Sequence, residues 1–165
     1  MPLLKDGQIV ADQWVHVEDD AGIAEELAVV VSLERWLDQA ETLGRRNAPV
    51  AVALRNDQSP SQIVDALEAI DAVFLTFPAY TDGRAYSQAR LLRQRYGFRG
   101  EIRATGNVLH DQYPLMLRCG FDAFEVADGA DIDGWKNAVT VISDNYQTAG
   151  DGVQAIWAKR QSTAA

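Results

Sequence analysis

The chain predicts a single α/β domain: about five βα units around a parallel sheet, behind a short N-terminal β-hairpin. Three observations predict it. From Leu27 onward, short apolar runs alternate with helical patterns at intervals of roughly 20–30 residues, the repeat of one strand plus one helix. The runs are rich in Ala, Val and Phe and do not alternate with polar residues, as in strands covered on both faces. The length of 165 residues suits one domain, at roughly 100–200 residues per domain. A doubly wound layered sheet is the first arrangement and a partial βα barrel the alternative, since consecutive βα units suit either.

Each element has a local reason. Residues 1–20 read as the hairpin: Leu3-Leu4, then Lys5-Asp6-Gly7-Gln8, then Ile9-Val10 places Asp-Gly at a turn between apolar pairs. Trp14, Val15 and Val17 are expected to continue it. Five strands follow, at 28–31, 50–54, 73–77, 102–105 and 123–126. Ser32 caps a helix over 33–43 that Gly44 ends. Ser59-Pro60-Ser61-Gln62 supplies a Ser cap, Pro in the first turn and Gln three residues after the cap. That helix runs to about Ile70. Asp82 is placed to cap a helix from Gly83 to Tyr96, with Gly97 as its left-handed stop. Asp111 is placed to cap a short helix through Cys119, because an earlier start would put Pro114 in the helix interior at ~3 kcal/mol. A last helix runs from Asp131 or Asp133 to about Tyr146, and residues 161–165 read as a disordered tail. Nothing in the chain reads as a linker or second domain.

Composition excludes several function classes. No apolar run approaches the ~20 residues of a membrane span, and the first residues lack the apolar core of a signal peptide. A cytoplasmic protein is expected. The net charge of −9 argues against nucleic acid, whose affinity comes from neutralised phosphates. That average conceals a split: residues 80–118 hold seven arginines against three acids, net +4, and the remainder is −13. The single cysteine, Cys119, excludes a four-Cys iron–sulfur cluster and a Cys-rich zinc site. His16 and His110 lie far apart and show no metal-ligand spacing, so no metal is expected. No Walker, dinucleotide or nucleophile-elbow motif is present.

In parallel sheets, ligands bind outside the carboxyl ends of the strands. Two strand-end loops carry candidates. Asp82-Gly83-Arg84 opens a helix whose free N–H groups favour an anion, and Arg84 offers a planar donor fork. Arg103, Thr105 and Gly106 come from the neighbouring strand. One reading is an oxyanion pocket built from Gly83, Arg84, Ser87, Arg103 and Thr105; the other has Asp82 capping its helix and pairing with an arginine. Arg90 and Arg93 share a helix face, either as a docking patch for an acidic partner or as a solvated basic face. His110 beside Asp111 is either a general base or a surface loop residue. Cys119 at a helix C-terminus reads as structural. The four Trp read as core or interface anchors, and a homodimer fits their number.

The stretch FPAYTDGRAYSQARLLRQRYGFRGEIRATGNVLHDQYPLMLRCGFDAFE, residues 77–125, resembles the bacterial domain of unknown function 934 family. Its members read F-x-D-G-R-x-Y-S-x-A-R-x-L-R, then G-E-[IL]-R-A-x-G, then D-Q and R-C-G-F-D-A-F-E. The recurring positions here are Asp82, Gly83, Arg84, Tyr86, Ser87, Arg90, Arg103, Gly106, Asp111 and Gln112. Asn107 and His110 depart from a more usual Asp and Arg.

The resemblance implies a role in assimilatory sulfite or sulfate reduction, as an accessory protein or oxidoreductase that binds an oxyanion or docks on the sulfite reductase haemoprotein. It supplies no catalytic residues. The chain has no iron–sulfur cluster or haem of its own on this reading, and a bound flavin or nicotinamide has no fingerprint to support or exclude it. Two other readings stand beside it: a small βα enzyme acting on a phosphorylated or carboxylated metabolite, and a non-catalytic dimerising module.

Overall fold

The computed structural model describes residues 1–140, 146, 149 and 155–163. Eight strands in these residues form one sheet: β1 (Leu3–Lys5), β2 (Gln8–Val10), β3 (Val15–His16), β4 (Val29–Ser32), β5 (Val50–Leu54), β6 (Ala72–Phe77), β7 (Glu101–Gly106) and β8 (Ala123–Glu125). Their spatial order is β2-β1-β8-β7-β6-β5-β4-β3. The strands β3 to β8 are parallel, each beside its successor, and the hairpin strand β1 lies antiparallel against β8.

That order decides between the two expected arrangements. A doubly wound sheet reverses its strand order and so carries helices on both faces. Here the order never reverses, and successive right-handed crossovers place the helices on one face. The sheet curls into a half-barrel, which corrects the doubly wound expectation in favour of the partial barrel.

The chain itself requires the curl. The strands β2 and β3 lie at opposite ends of the order, yet only residues 11–14 separate them. Five Cα steps span at most ~18 Å. A flat sheet with seven gaps of ~4.8 Å would part the two edges by ~34 Å. The third strand therefore does not continue the hairpin as expected. It crosses to the far edge and pairs parallel with β4, Val15 opposite Val29 and His16 opposite Val30.

The two sheet faces bury different partners. One face contributes Val29, Val31, Val52, Leu54, Val73, Leu75, Phe77, Ile102, Ala104 and Phe124 to the main core under the helices. The inner face carries Val30, Ala51, Ala72 and Phe74, with Trp14 packed on it. The ring of Trp14 meets Phe74 edge-on at 5.9 Å, and His16 does so at 5.7 Å. Small residues at 51 and 72 leave room for the crossing segment.

The helices follow most of their start signals, with several changes. The helix α1 (Leu33–Leu43) is capped by Ser32, whose hydroxyl accepts from Arg35 N, but Gln39 is non-helical at φ −123° and ψ 21°. The segment Pro60–Ala69 has the full Ser59–Gln62 capping box and runs as a 3-10 helix. The expected 83–96 helix divides into α2 (Arg84–Arg90) and a π-helical turn over Leu91–Arg95. Gly97 then stops it at φ +69°. A single 3-10 turn, His110–Gln112, leads into α3 (Tyr113–Cys119). Asp111 makes no cap there, and Gly120 ends the helix at φ +104°. The helix α4 spans Ile132–Thr140, and the expected continuation over 141–145 lies outside the described residues. The helix α5 spans Ile156–Thr163, so the first three residues of the expected tail are helical, and 164–165 lie outside the description. Among the described residues no helix is long and apolar enough to cross a membrane.

Candidate functional site

The carboxyl ends of β5 and β6 build one polar cluster. Asp82 lies in the loop after β6, and its carboxylate accepts both donors of the Arg84 fork, from Nε at 3.0 Å and Nη2 at 2.7 Å. It also accepts the Arg84 backbone N–H at 3.2 Å and the Asn56 side-chain amide at 2.6 Å. The Arg84 hydrogen bond holds the Asp82 carboxyl down at about 2. Asn56 comes from the loop after β5, so two successive strand ends share this carboxylate. The Asp82–Arg84 pair of the second reading is present, but Asp82 is not the helix cap: α2 starts at Arg84 with Gly83 at its N-cap position and no side-chain cap bond. Arg84 stays exposed, with its Nη1 edge outside the Asp82 fork.

Gln88, one turn further along α2, secures the same loop from below. Its amide donates to Arg55 O at 2.8 Å and Gln58 O at 2.7 Å, and the side chain is buried. Arg55 reaches Glu34 of α1 at 2.9 Å and Asp57 at 3.4 Å. Ser87, between Arg84 and Gln88 in sequence, is exposed. Behind the cluster, Tyr86 packs edge-on against Phe77 at 5.2 Å. Burial, then the Cys119 and Asp111 charges, push its phenol up to about 12. Gly106 closes the β7 end at φ +87°, where a Cβ would stand 2.4 Å from Phe77 O. That close approach lets Asn107 N donate to Phe77 O at 2.8 Å, and only Gly accepts it at that φ.

Arg103 does not join Arg84. It lies mid-strand in β7, opposite Phe74 and Ala123, and points to the inner face of the half-barrel. Only 1% of it is exposed. Its guanidinium meets Glu101 at 3.0 Å, Asp12 at 2.7 Å and Glu125 at 3.6 Å, over the Phe74 ring at 4.3 Å. Burial alone would raise the Asp12 carboxyl, but the bonds from Arg103 and from Trp14 N outweigh it and hold it low. Thr105 shares the inner face, with Oγ1 at 3.4 Å from Thr76 Oγ1. The five residues of the expected oxyanion pocket are thus divided between the helix layer and the inner face, because residues two apart in a strand share a face.

Arg93 is largely buried and its guanidinium is engaged within the fold. It donates to Gly120 O, Phe98 O and Gly100 O and pairs with Asp122, tying α2's continuation to the β7 and β8 entrances. Arg90 remains exposed. His110 is exposed and lines a cavity of about 190 Å³ with Val108, Leu109, Asp131 and Trp135. Asp111 beside it is exposed. Reading the loops after β6 and β7 missed Asn56 and Gln88. The strand-end rule applied to β5 as well was the signal for Asn56; Gln88 had none.

Fold and site together define a class: a parallel α/β half-barrel with a carboxylate–arginine cluster at its strand ends. Residues 51–157 match the family described as "Bacterial protein of unknown function (DUF934)", and the chain belongs to that family. The match includes Asn56, Asp82, Arg84, Gln88 and Arg103. No curated protein matches the chain.

Proposed function

We propose that the chain is an accessory protein of assimilatory sulfite or sulfate reduction that docks on the reductase through its strand-end loops. The observation that carries the docking part is the Arg84 fork. Asp82 orients the guanidinium while the side chain stays 58% exposed, so the arginine is preorganised and presented outward. A pre-set fork with an open edge suits a partner's carboxylate. Neither Asp82, Arg84 nor Ser87 lines the 190 Å³ cavity or a second one of about 460 Å³. An open surface of this kind supports docking better than turnover. The link to sulfite reduction rests on the family-like stretch that contains these residues.

Growth tests the biological assignment. A strain lacking this chain should grow poorly with sulfate as sole sulfur source and normally with cysteine. Normal growth on sulfate would overturn it. One observation favours a second reading, a small βα enzyme acting on a phosphorylated or carboxylated metabolite. The 190 Å³ cavity lies beside the carboxyl ends of β7 and β8 and has His110 in its wall. On that reading His110→Ala should remove any activity found on such substrates while leaving reductase binding intact.

A further inference from the structure

The larger cavity, about 460 Å³, lies on the flank of α1, away from the strand-end cluster. Its walls come from α1, from Arg35 to Leu43, the turn 45–47 and the loop 23–25. Asn47 leads within three residues into the first residue of β5, so the cavity opens at the amino ends of the strands.

Its charge contradicts its surroundings. In a chain of net −9, the lining carries Arg35, Arg45 and Arg46 against one acid, Glu25. Arg45 has a carboxylate partner, Glu41, at 2.7 Å. The other two meet neutral acceptors. Arg35 is 7% exposed, and it donates to Glu18 O, to Ala21 O at 2.7 Å and to Gln39 Oε1 at 3.4 Å. Arg46 uses a single nitrogen, Nη2, on Ala24 O, Glu25 O and Leu27 O. Its Nε is buried with no hydrogen-bond partner. A buried cationic donor left unpaired is costly and calls for an explanation. Carbonyl tethering explains how these arginines hold the 18–27 loop. It leaves both cations without a carboxylate in ion-pair reach among the described residues.

The helix itself is irregular at this wall. Gln39, a lining residue, leaves helical geometry in the middle of α1. Ile23 and Leu43 add apolar surface, and Thr42 and Asn47 add polar groups. The volume falls in the range of small-molecule sites, roughly 300–1,000 Å³, and is far larger than an inorganic ion needs.

We propose that this cavity binds a small organic molecule through a phosphate or sulfate ester, with the oxyanion neutralising Arg35 and Arg46 and the organic body against Ile23 and Leu43. The arginines come from α1 and the turn that follows it, and the guanidinium fork matches phosphate-type oxyanions. The site stands independently of the docking reading.

The test is a titration of the intact chain with phenyl phosphate and phenyl sulfate at constant ionic strength. The readout is the Arg46 Nε–H resonance in ¹H–¹⁵N spectra. A saturable shift is expected, at lower concentration for the aryl esters than for inorganic phosphate. Arg46→Gln removes the reporting group itself and releases the 24–27 loop, so it does not read binding. Thr42→Glu is the cleaner variant, since the Thr42 side chain is exposed and only adds a negative charge at the wall. It should weaken binding about tenfold or more with an unchanged melting temperature. No saturable shift, or equal affinity in Thr42→Glu, would overturn the proposal. Aryl esters binding no tighter than inorganic phosphate would overturn its organic part.

Discussion

Replacing Arg103 with methionine keeps most of the side-chain volume and removes the one cation placed among three carboxylates. Asp12 lies 2.7 Å from the guanidinium, Glu101 3.0 Å and Glu125 3.6 Å. Removing one member of a buried ionic network strands the others, at ~3–5 kcal/mol. Lys5 remains 2.9 Å from Glu101, and the stranded carboxylates keep 15–35% exposure. Those facts favour the lower end, ~3 kcal/mol. For a chain of this size, ~2–4 °C is lost per kcal/mol, so the melting temperature should fall by about 6–12 °C. Asp12→Ala removes one half-exposed partner and should cost less, ~1 kcal/mol. Because the Asp12 carboxyl is held low by Arg103, its contribution is present above the ordinary carboxylate range and disappears as the pH falls below it. Arg103→Met should therefore flatten the acid limb of the stability profile. Thermal and urea unfolding across pH measure both effects. A loss within about 0.5 kcal/mol, the range of an ordinary surface change, would refute the argument that this network pins the crossing segment to the sheet.

Two other perturbations follow from the site. Gly106→Ala forces a Cβ to within 2.4 Å of Phe77 O at φ +87°; a loss of at least ~1–3 kcal/mol is expected, seen by urea unfolding, and the Asn107 amide should exchange faster with solvent. Asp82 titrates near 2 because Arg84 bonds its carboxylate, so the fork is intact above the ordinary value of 3.8 and is lost as pH falls through about 2. In Arg84→Ala, carboxyl NMR should find the Asp82 midpoint moved back toward 3.8, and an unmoved midpoint would count against the fork.

The sequence and the structure agree where the determinants are local. The five central strands lie within one or two residues of the apolar runs, since an uninterrupted Val- and Ala-rich run has few other fates between turn signals. Ser32, the Ser59–Gln62 box, Gly97 and Gly120 act as read, because caps and left-handed stops are decided within a turn. What was illegible is set by distance along the chain. The curl depends on where β2 and β3 end, at opposite edges. Arg103 and Asp12 are 91 residues apart, and no local pattern pairs them. Arg93 looked like a free basic face from helix spacing, yet three carbonyls and Asp122 consume it. At the site, Asp82 and Arg84 were legible as a pair only two residues apart, with the oxyanion-pocket and capping readings equally open. Arg35 and Arg46 carried no signal at all, because ordinary arginines on a helix and a turn become unusual only once their neighbours prove to be neutral.

The central claim is that the Arg84 fork docks this chain on the sulfite reductase haemoprotein. Binding of the purified chain to the immobilised haemoprotein tests it most directly, with Arg84→Glu as the comparison. The account predicts saturable binding that Arg84→Glu weakens by about tenfold or more, with its fold intact by circular dichroism. No binding by the unaltered chain, or equal binding by Arg84→Glu, would contradict it.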